Sequence, residues 1–202
     1  GNTRHYAATV DKLMQSIGSR DDEIVFGLCV FVNRGRTIVI ADTNVIEYPT
    51  SEELASIAKS SARVAKLLGL DPKIAFLSHS TFGQPETDRT KRISKAVEML
   101  KDEKVDFLFD GEMQPDVALN NKYKGTYSFS NIVGSANVLV MPSIHAAAIS
   151  IKMLKELSRG KVFGPLLIGL AQPIEVAPLR SSSSEILNLA SIAAYSSEII
   201  KY

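Results

Sequence analysis

Short β-branched and apolar runs alternate along the chain with longer stretches in which apolar positions recur every three or four residues. "EIVFGLCVFVN" (23–33) and "RTIVIAD" (36–42) read as two strands, and Gly35 between them supplies the positive φ of a tight turn, so an antiparallel pair is predicted. "YPTSEELASIAKSSARVAKLLGL" follows, with Thr50 and Glu53 in capping-box spacing and Leu54, Ile57, Ala58, Val64, Leu67 and Leu68 on a helical period that Gly69 stops. "KIAFLS" predicts a buried strand, "ETDRTKRISKAVEMLKDE" a solvent-faced helix and "VDFLFDGEM" a second strand. "ANVLVMPS" and "GPLLIGLAQPIEVAP" predict two more strands, separated by the helix "IHAAAISIKMLKELS". "SSSSEILNLASIAAYSSEIIKY" is expected as a closing helix. Strands fed by helices of this length imply right-handed crossovers, so the fold class is α/β with a largely parallel sheet. In such sheets ligands bind beyond the carboxyl ends of the strands, where "SHSTFG", "DGEMQPD", "MPSIHAA" and "LAQP" are expected to meet on one rim.

Composition narrows the partners. The chain has 202 residues, 45% of them apolar, which is enough for a substantial core in one globular unit. Its 23 Lys and Arg against 22 Asp and Glu leave no basic surplus for a nucleic-acid backbone or an anionic membrane, so any anion site is local. The single cysteine, Cys29, sits inside an apolar run; it excludes an intrachain disulfide framework, suits a reducing compartment and reads as a small buried hydrophobe. No apolar run is long enough to span a bilayer, and the start lacks a signal-peptide core and an initiator Met, so the chain reads as a piece of a longer cytoplasmic protein.

Candidate chemistry concentrates at the strand ends. In "LSHSTFGQPETD" the hydroxyls of Ser78, Ser80 and Thr81 beside Gly83 suit either a phosphate-binding loop or an ordinary capped strand-to-helix turn. Asp110 and Glu112 alternate onto one face of an extended segment and, with Asp116, suit a general base or a cation, although a salt-bridge or capping role is the commoner fate of such acids. His145 opens a helix, where anion contact and capping are both open to it. Arg180 precedes four serines and Glu185, a pattern that capping explains. No metal constellation or glycine-rich nucleotide fingerprint is present, so spacing alone ends at an anion-friendly rim.

Five segments in order carry more than their spacing: "ADTNVIEYPTSEELASIA", "FLSHSTFGQPE", "DGEMQPDVALN", "ANVLVMPSIHAAAISIKML" and "GPLLIGLAQPIEVAP". Together they resemble the phosphate acetyl/butyryltransferase family. The resemblance implies a three-layer α/β/α fold similar to isocitrate and isopropylmalate dehydrogenases, in two lobes with an acyl-CoA site between them. Residues 1–20 and about 175–202 are then a truncated first lobe, and about 21–174 the second, within one unit of residues 1–202. It further implies that acyl-CoA and phosphate are held by Ser78, Ser80, Thr81, Gly83, Asp110, Glu112, Pro142, His145, Ala171 and Arg180, with no metal.

The family chemistry, acyl transfer between coenzyme A and phosphate, rests on a phosphate-binding arginine and on a Ser-Arg pair followed by an acid. Gapless alignment to the family pattern puts Asp11 at the arginine, Pro178 and Leu179 at the pair, and Glu185 at the acid. Phe82, Gln84 and Ala148 also replace the usual Lys, Ser and Asn. Losing charge-assisted anion contacts removes several kcal/mol of transition-state stabilisation, so transfer is expected to be crippled. Such decay resembles one branch of the family, the C-terminal domain of bacterial NADP-dependent malic enzymes. That branch implies acetyl-CoA as an effector, homo-oligomerisation, and upstream domains that carry NADP, a divalent metal and the malate chemistry. Two alternatives stay open: an active transferase that uses Arg180 and Arg4 instead, and a ligand-free oligomerisation scaffold.

Overall fold

Side chains alternate across a strand, and here both faces of one sheet are apolar, so both must be covered. The computed structural model describes residues 6–20, 23–123 and 125–199. Six strands, β1 (Phe26–Asn33), β2 (Arg36–Ala41), β3 (Lys73–Leu77), β4 (Leu108–Met113), β5 (Val138–Val140) and β6 (Lys161–Ile168), lie in the order β4-β3-β5-β2-β1-β6. β1 is antiparallel to β2 and β6, and the other neighbours are parallel, so five strands run one way and β1 alone is reversed. The expected hairpin and largely parallel sheet are both present.

Along the strands, Leu28, Val30, Val39, Ala41, Ile74, Phe76, Val138 and Val140 face one core, which the helices α2 (Ser51–Leu67) and α3 (Asp88–Glu103) complete. Cys29, Phe31, Ile38, Ile40, Ala75, Leu77 and Leu139 face the other, closed by Ala118 of α4 (Pro115–Leu119) and by Ala147 and Ile151 of α5 (Ile144–Leu157). The result is a three-layer α/β/α arrangement. α6 (Ser183–Ile199) packs along β6, while α1 (Tyr6–Ile17), a helix not anticipated from the pattern, packs through Val10 near Val25, Leu167 and Leu170.

Local signals hold at α2, where the Thr50 hydroxyl accepts from the Glu53 N–H at 3.1 Å and Glu53 Oε2 accepts from the Thr50 N–H at 2.7 Å. They fail at the last strand, expected over 164–178 but found over Lys161–Ile168. Gly169 has φ +90 and lies against the Ile24 carbonyl, where no side chain fits. The chain leaves the sheet there, and its backbone pairs instead with the end of α1, Ala171 N–H donating to Gly18 O at 3.1 Å.

Candidate functional site

Over the first half of β6 and beside the turn that follows β2 opens a cleft of about 910 Å³, at the upper end of the range for small-molecule sites. Tyr6, Thr9 and Leu13 of α1 line one side, at the spacing that puts them on one helix face. Ala148, Ile151, Lys152 and Lys155 of α5 line another, and Glu185, Ile186 and Leu189 of α6 a third. The floor is Cys29 with Val162, Phe163, Gly164 and Pro165, and the segment from Ile174 to Ser181 forms the lip. Lys155 Nζ lies 3.5 Å from Glu185 Oε1, so an ion pair between α5 and α6 crosses the cleft.

The lip carries the positions that depart from the family pattern. Pro178, Leu179 and Arg180 all line the cleft, Leu179 being 74% exposed. Glu185 accepts from the Ser182 N–H at 2.8 Å and from its hydroxyl at 3.0 Å, and these bonds, the backbone one foremost, hold its carboxyl below the usual range. Its role at the start of α6 is therefore a cap, as the serine run suggests. Asp11 is exposed and is not among the lining residues, because α1 turns Tyr6, Thr9 and Leu13 inward. Arg4 lies outside the described residues.

The floor holds Cys29, buried as its apolar run implied, and the inner wall holds Glu175, which sequence reasoning passed over. Cys29 is buried, its thiol reaches Thr43 Oγ1 at 3.8 Å, and burial pushes its pKa up to about 11, which makes it a poor nucleophile. Glu175 sits among Ile174, Val176 and Leu167, and burial pushes its carboxyl up to about 8 against the effect of one hydrogen bond from the Leu167 N–H, 3.0 Å from Oε2. The one signal in the sequence was a lone acid in the apolar run "PIEVAP". Behind Thr43, Asp42 accepts from the N–H groups of Gly27, Asn44, Val45 and Ile46 at 2.6–3.2 Å and fixes the turn after β2.

The "SHSTFG" loop belongs to a different place, beyond β3 and β4, and none of its residues lines the cleft. Glu112, 1% exposed, holds it together: it accepts from Ser80 Oγ at 3.2 Å, the Gly83 N–H at 2.6 Å and Ser94 Oγ at 2.6 Å. Burial opposes ionisation of Glu112, but those donors outweigh it and keep the carboxyl below its ordinary pKa. Ser78 Oγ accepts from Ser80 Oγ at 3.0 Å, and Thr81 Oγ1 accepts from the Gln114 N–H at 3.2 Å. Phe82, with φ +50, stacks its ring near Phe129 at 4.8 Å and Tyr127 at 5.6 Å, which accounts for an aromatic residue at that position.

Asp110 is separate from Glu112 in its contacts, accepting from the Asn131 and Gly111 N–H groups at 2.7 and 2.9 Å. No group of three or more metal-capable His, Cys, Asp or Glu side chains occurs among the described residues. His145 lies on the outside, Nε2 3.5 Å from Glu47 Oε1, and the Pro142 carbonyl accepts from Arg92 at 2.9 Å. Ala171 takes part through its backbone alone. The expected single rim is therefore divided: the cup residues cluster at β3 and β4, and the lip residues cluster at β6.

Three likenesses fit this architecture. The chain is 46% identical over 195 residues to an NADP-dependent malic enzyme of Rhizobium meliloti (strain 1021), covering 96% of this chain but only 26% of that protein. It is 31% identical over 179 residues to a phosphate acetyltransferase of Acetivibrio thermocellus, covering 86% of this chain and 52% of that one. The crystal structure of a phosphotransacetylase from Streptococcus pyogenes superposes with a TM-score of 0.89 at 30% identity, covering 98% of this chain and 61% of that one. The chain thus spans about a quarter of the malic enzyme it matches, about half of the phosphate acetyltransferase and about three fifths of the phosphotransacetylase. With residues 1–194 also matching the family described as phosphate acetyl/butaryl transferase, and with the sheet and cleft arranged as above, the chain belongs to the phosphate acetyl/butyryltransferase family.

Proposed function

We propose that this chain is the acetyl-CoA-binding, oligomer-forming domain of an NADP-dependent malic enzyme, and that it holds its ligand without transferring the acyl group. The observation that carries this reading is the lip: Pro178 and Leu179 line the cleft where the family pattern has a serine and an arginine. A proline and a leucine offer neither a hydroxyl for the thiol end nor a guanidinium for phosphate. The cleft itself remains, with apolar walls for a pantetheine arm and the cations Lys152, Lys155 and Arg180 for its phosphates. The malic-enzyme likeness, at higher identity than the transferase, favours the same branch.

Acetyl-CoA then acts as an effector, and its coupling to malate is reciprocal: each ligand changes the other's affinity by the same factor. In this reading NADP and a divalent metal belong to upstream domains of the longer protein. Oligomerisation is supported by Ile149, Met153 and Leu157 of α5, exposed at 60%, 54% and 80% and spaced to share one helix face.

A phosphate-dependent acetyl-CoA turnover assay on the full-length protein tests the loss of transfer. The expected result is no turnover above background. Arg180 in the lining favours the rival reading of an active transferase, and clear turnover abolished by Arg180→Ala would establish that rival.

A further inference from the structure

The inner wall of the cleft holds a polar group with no ionic partner. Glu175 faces the cleft among apolar neighbours, and one of its carboxyl oxygens is fixed by the Leu167 N–H at 3.0 Å. No Lys, Arg or His pairs with it among the described residues. Beside it the Tyr6 hydroxyl is buried with no hydrogen-bond partner, although buried hydroxyls ordinarily find one. Two polar groups on the wall of one cleft are thus incompletely satisfied by the protein itself.

We propose that Glu175 is the specificity-determining residue of the cleft, donating a hydrogen bond from its free carboxyl oxygen to a carbonyl oxygen on the acyl-pantetheine arm of an acyl-CoA. The inference rests on the acyl-CoA reading above and adds to it the group that recognises the arm. A carboxylate repels a carbonyl oxygen, whereas a carboxylic acid donates to it, so the contact needs a neutral Glu175. Burial supplies that neutrality, raising the carboxyl to about 8. Tyr6, on α1, is the second donor in reach of the same arm once the ligand displaces its packing.

Of the titratable groups around Glu175, Cys29 and Tyr6 are displaced well above its range. Cys29 on β1 is raised to about 11 by burial, and Tyr6 is raised beyond the ordinary phenol range by burial and by Glu175 itself. Asp42 behind Thr43 is held by four backbone N–H groups. Lys152 and Lys155 of α5, with Arg180 and Glu185 at the lip, complete the charged lining.

The test is calorimetric titration of the full-length protein with acetyl-CoA at pH 7.5 and pH 9.5, for wild type, Glu175→Gln and Tyr6→Phe. The wild-type Kd is expected to rise by roughly 10- to 30-fold across that interval as a group of pKa about 8 loses its proton. Glu175→Gln, which keeps a neutral donor and the volume, is expected to bind at both pH values with less than about a twofold change. Tyr6→Phe is expected to weaken binding by roughly two- to tenfold with the pH dependence intact. S-ethyl-CoA, which lacks the thioester carbonyl and keeps the amides, assigns the contact: pH dependence lost with it points to the thioester, and pH dependence retained points to an amide. Wild-type binding that is flat with pH, or Glu175→Gln that keeps the full pH dependence, overturns the inference alone. No acetyl-CoA binding at either pH overturns both the inference and the acyl-CoA reading.

Discussion

A buried carboxyl must find donors inside the protein or give up its charge, and Glu112 and Glu175 take the two courses. Glu112 collects Ser80, Gly83 and Ser94 and is held below its ordinary pKa. Its stabilising contribution is therefore present above the unfolded-state pKa and lost as pH falls through the folded one. Glu112→Ala strands those donors and is expected to cost about 2–4 kcal/mol in chemical denaturation at pH 7. A loss below about 0.5 kcal/mol would show that the network contributes nothing to the fold. Glu175 has one backbone donor and is raised to about 8, so the sign reverses: its contribution is complete below the ordinary value of 4.5 and is lost as pH rises to about 8. Thermal melts of Glu175→Gln at pH 5.5 and 8.5 are expected to show a smaller drop than the wild type, and identical drops would contradict the assignment. Both acids were visible in the sequence, but their partners were not. Asp110 and Glu112 read as one face of a strand, yet they bind donors from different segments, because donors 20 or 30 residues away decide where a carboxylate turns.

At the scale of elements, the strongest local signals held. The Thr50–Glu53 box, the turn at Gly35 and the alternating apolar strands depend on neighbours a few residues apart, and sequence carries that information directly. α1 and the end of β6 depend on tertiary contacts. α1 carries an apolar stripe as marked as that of α2, a signal the pattern reading missed, and its place is set by Val25, Leu167 and Leu170; β6 stops where Gly169 meets the Ile24 carbonyl. Gly111 shows how tightly β3 and β4 are joined: its φ is +154, and an added Cβ would stand 2.8 Å from Phe76 Cβ and 2.9 Å from the Phe76 carbonyl oxygen. Gly111→Ala is expected to destabilise by roughly 2–3 kcal/mol or to prevent folding, read by denaturant melts. An unchanged midpoint would mean that β4 moves freely away from β3.

At the scale of the molecule, charge is nearly balanced, and the cleft bounded by α1, α5 and α6 is the main candidate for function. The ordered segments made the family and the sheet legible. The cleft was half legible: the lip positions Pro178, Leu179 and Arg180 were picked out, while Tyr6, Lys152, Lys155 and Glu175 come together only through folding. If α5 forms the contact between copies, Met153→Glu is expected to lower the sedimentation mass of the full-length protein while leaving its melting temperature within a few degrees, since Met153 is 54% exposed. An unchanged oligomer would remove α5 from the interface.

The central claim is that the cleft holds acetyl-CoA and does not react it. Isothermal calorimetry of the full-length protein titrated with acetyl-CoA in phosphate buffer tests both halves at once. The account predicts a saturable binding heat that returns to baseline after each injection. No heat at millimolar ligand, or a continuing heat of turnover after each injection, would contradict it.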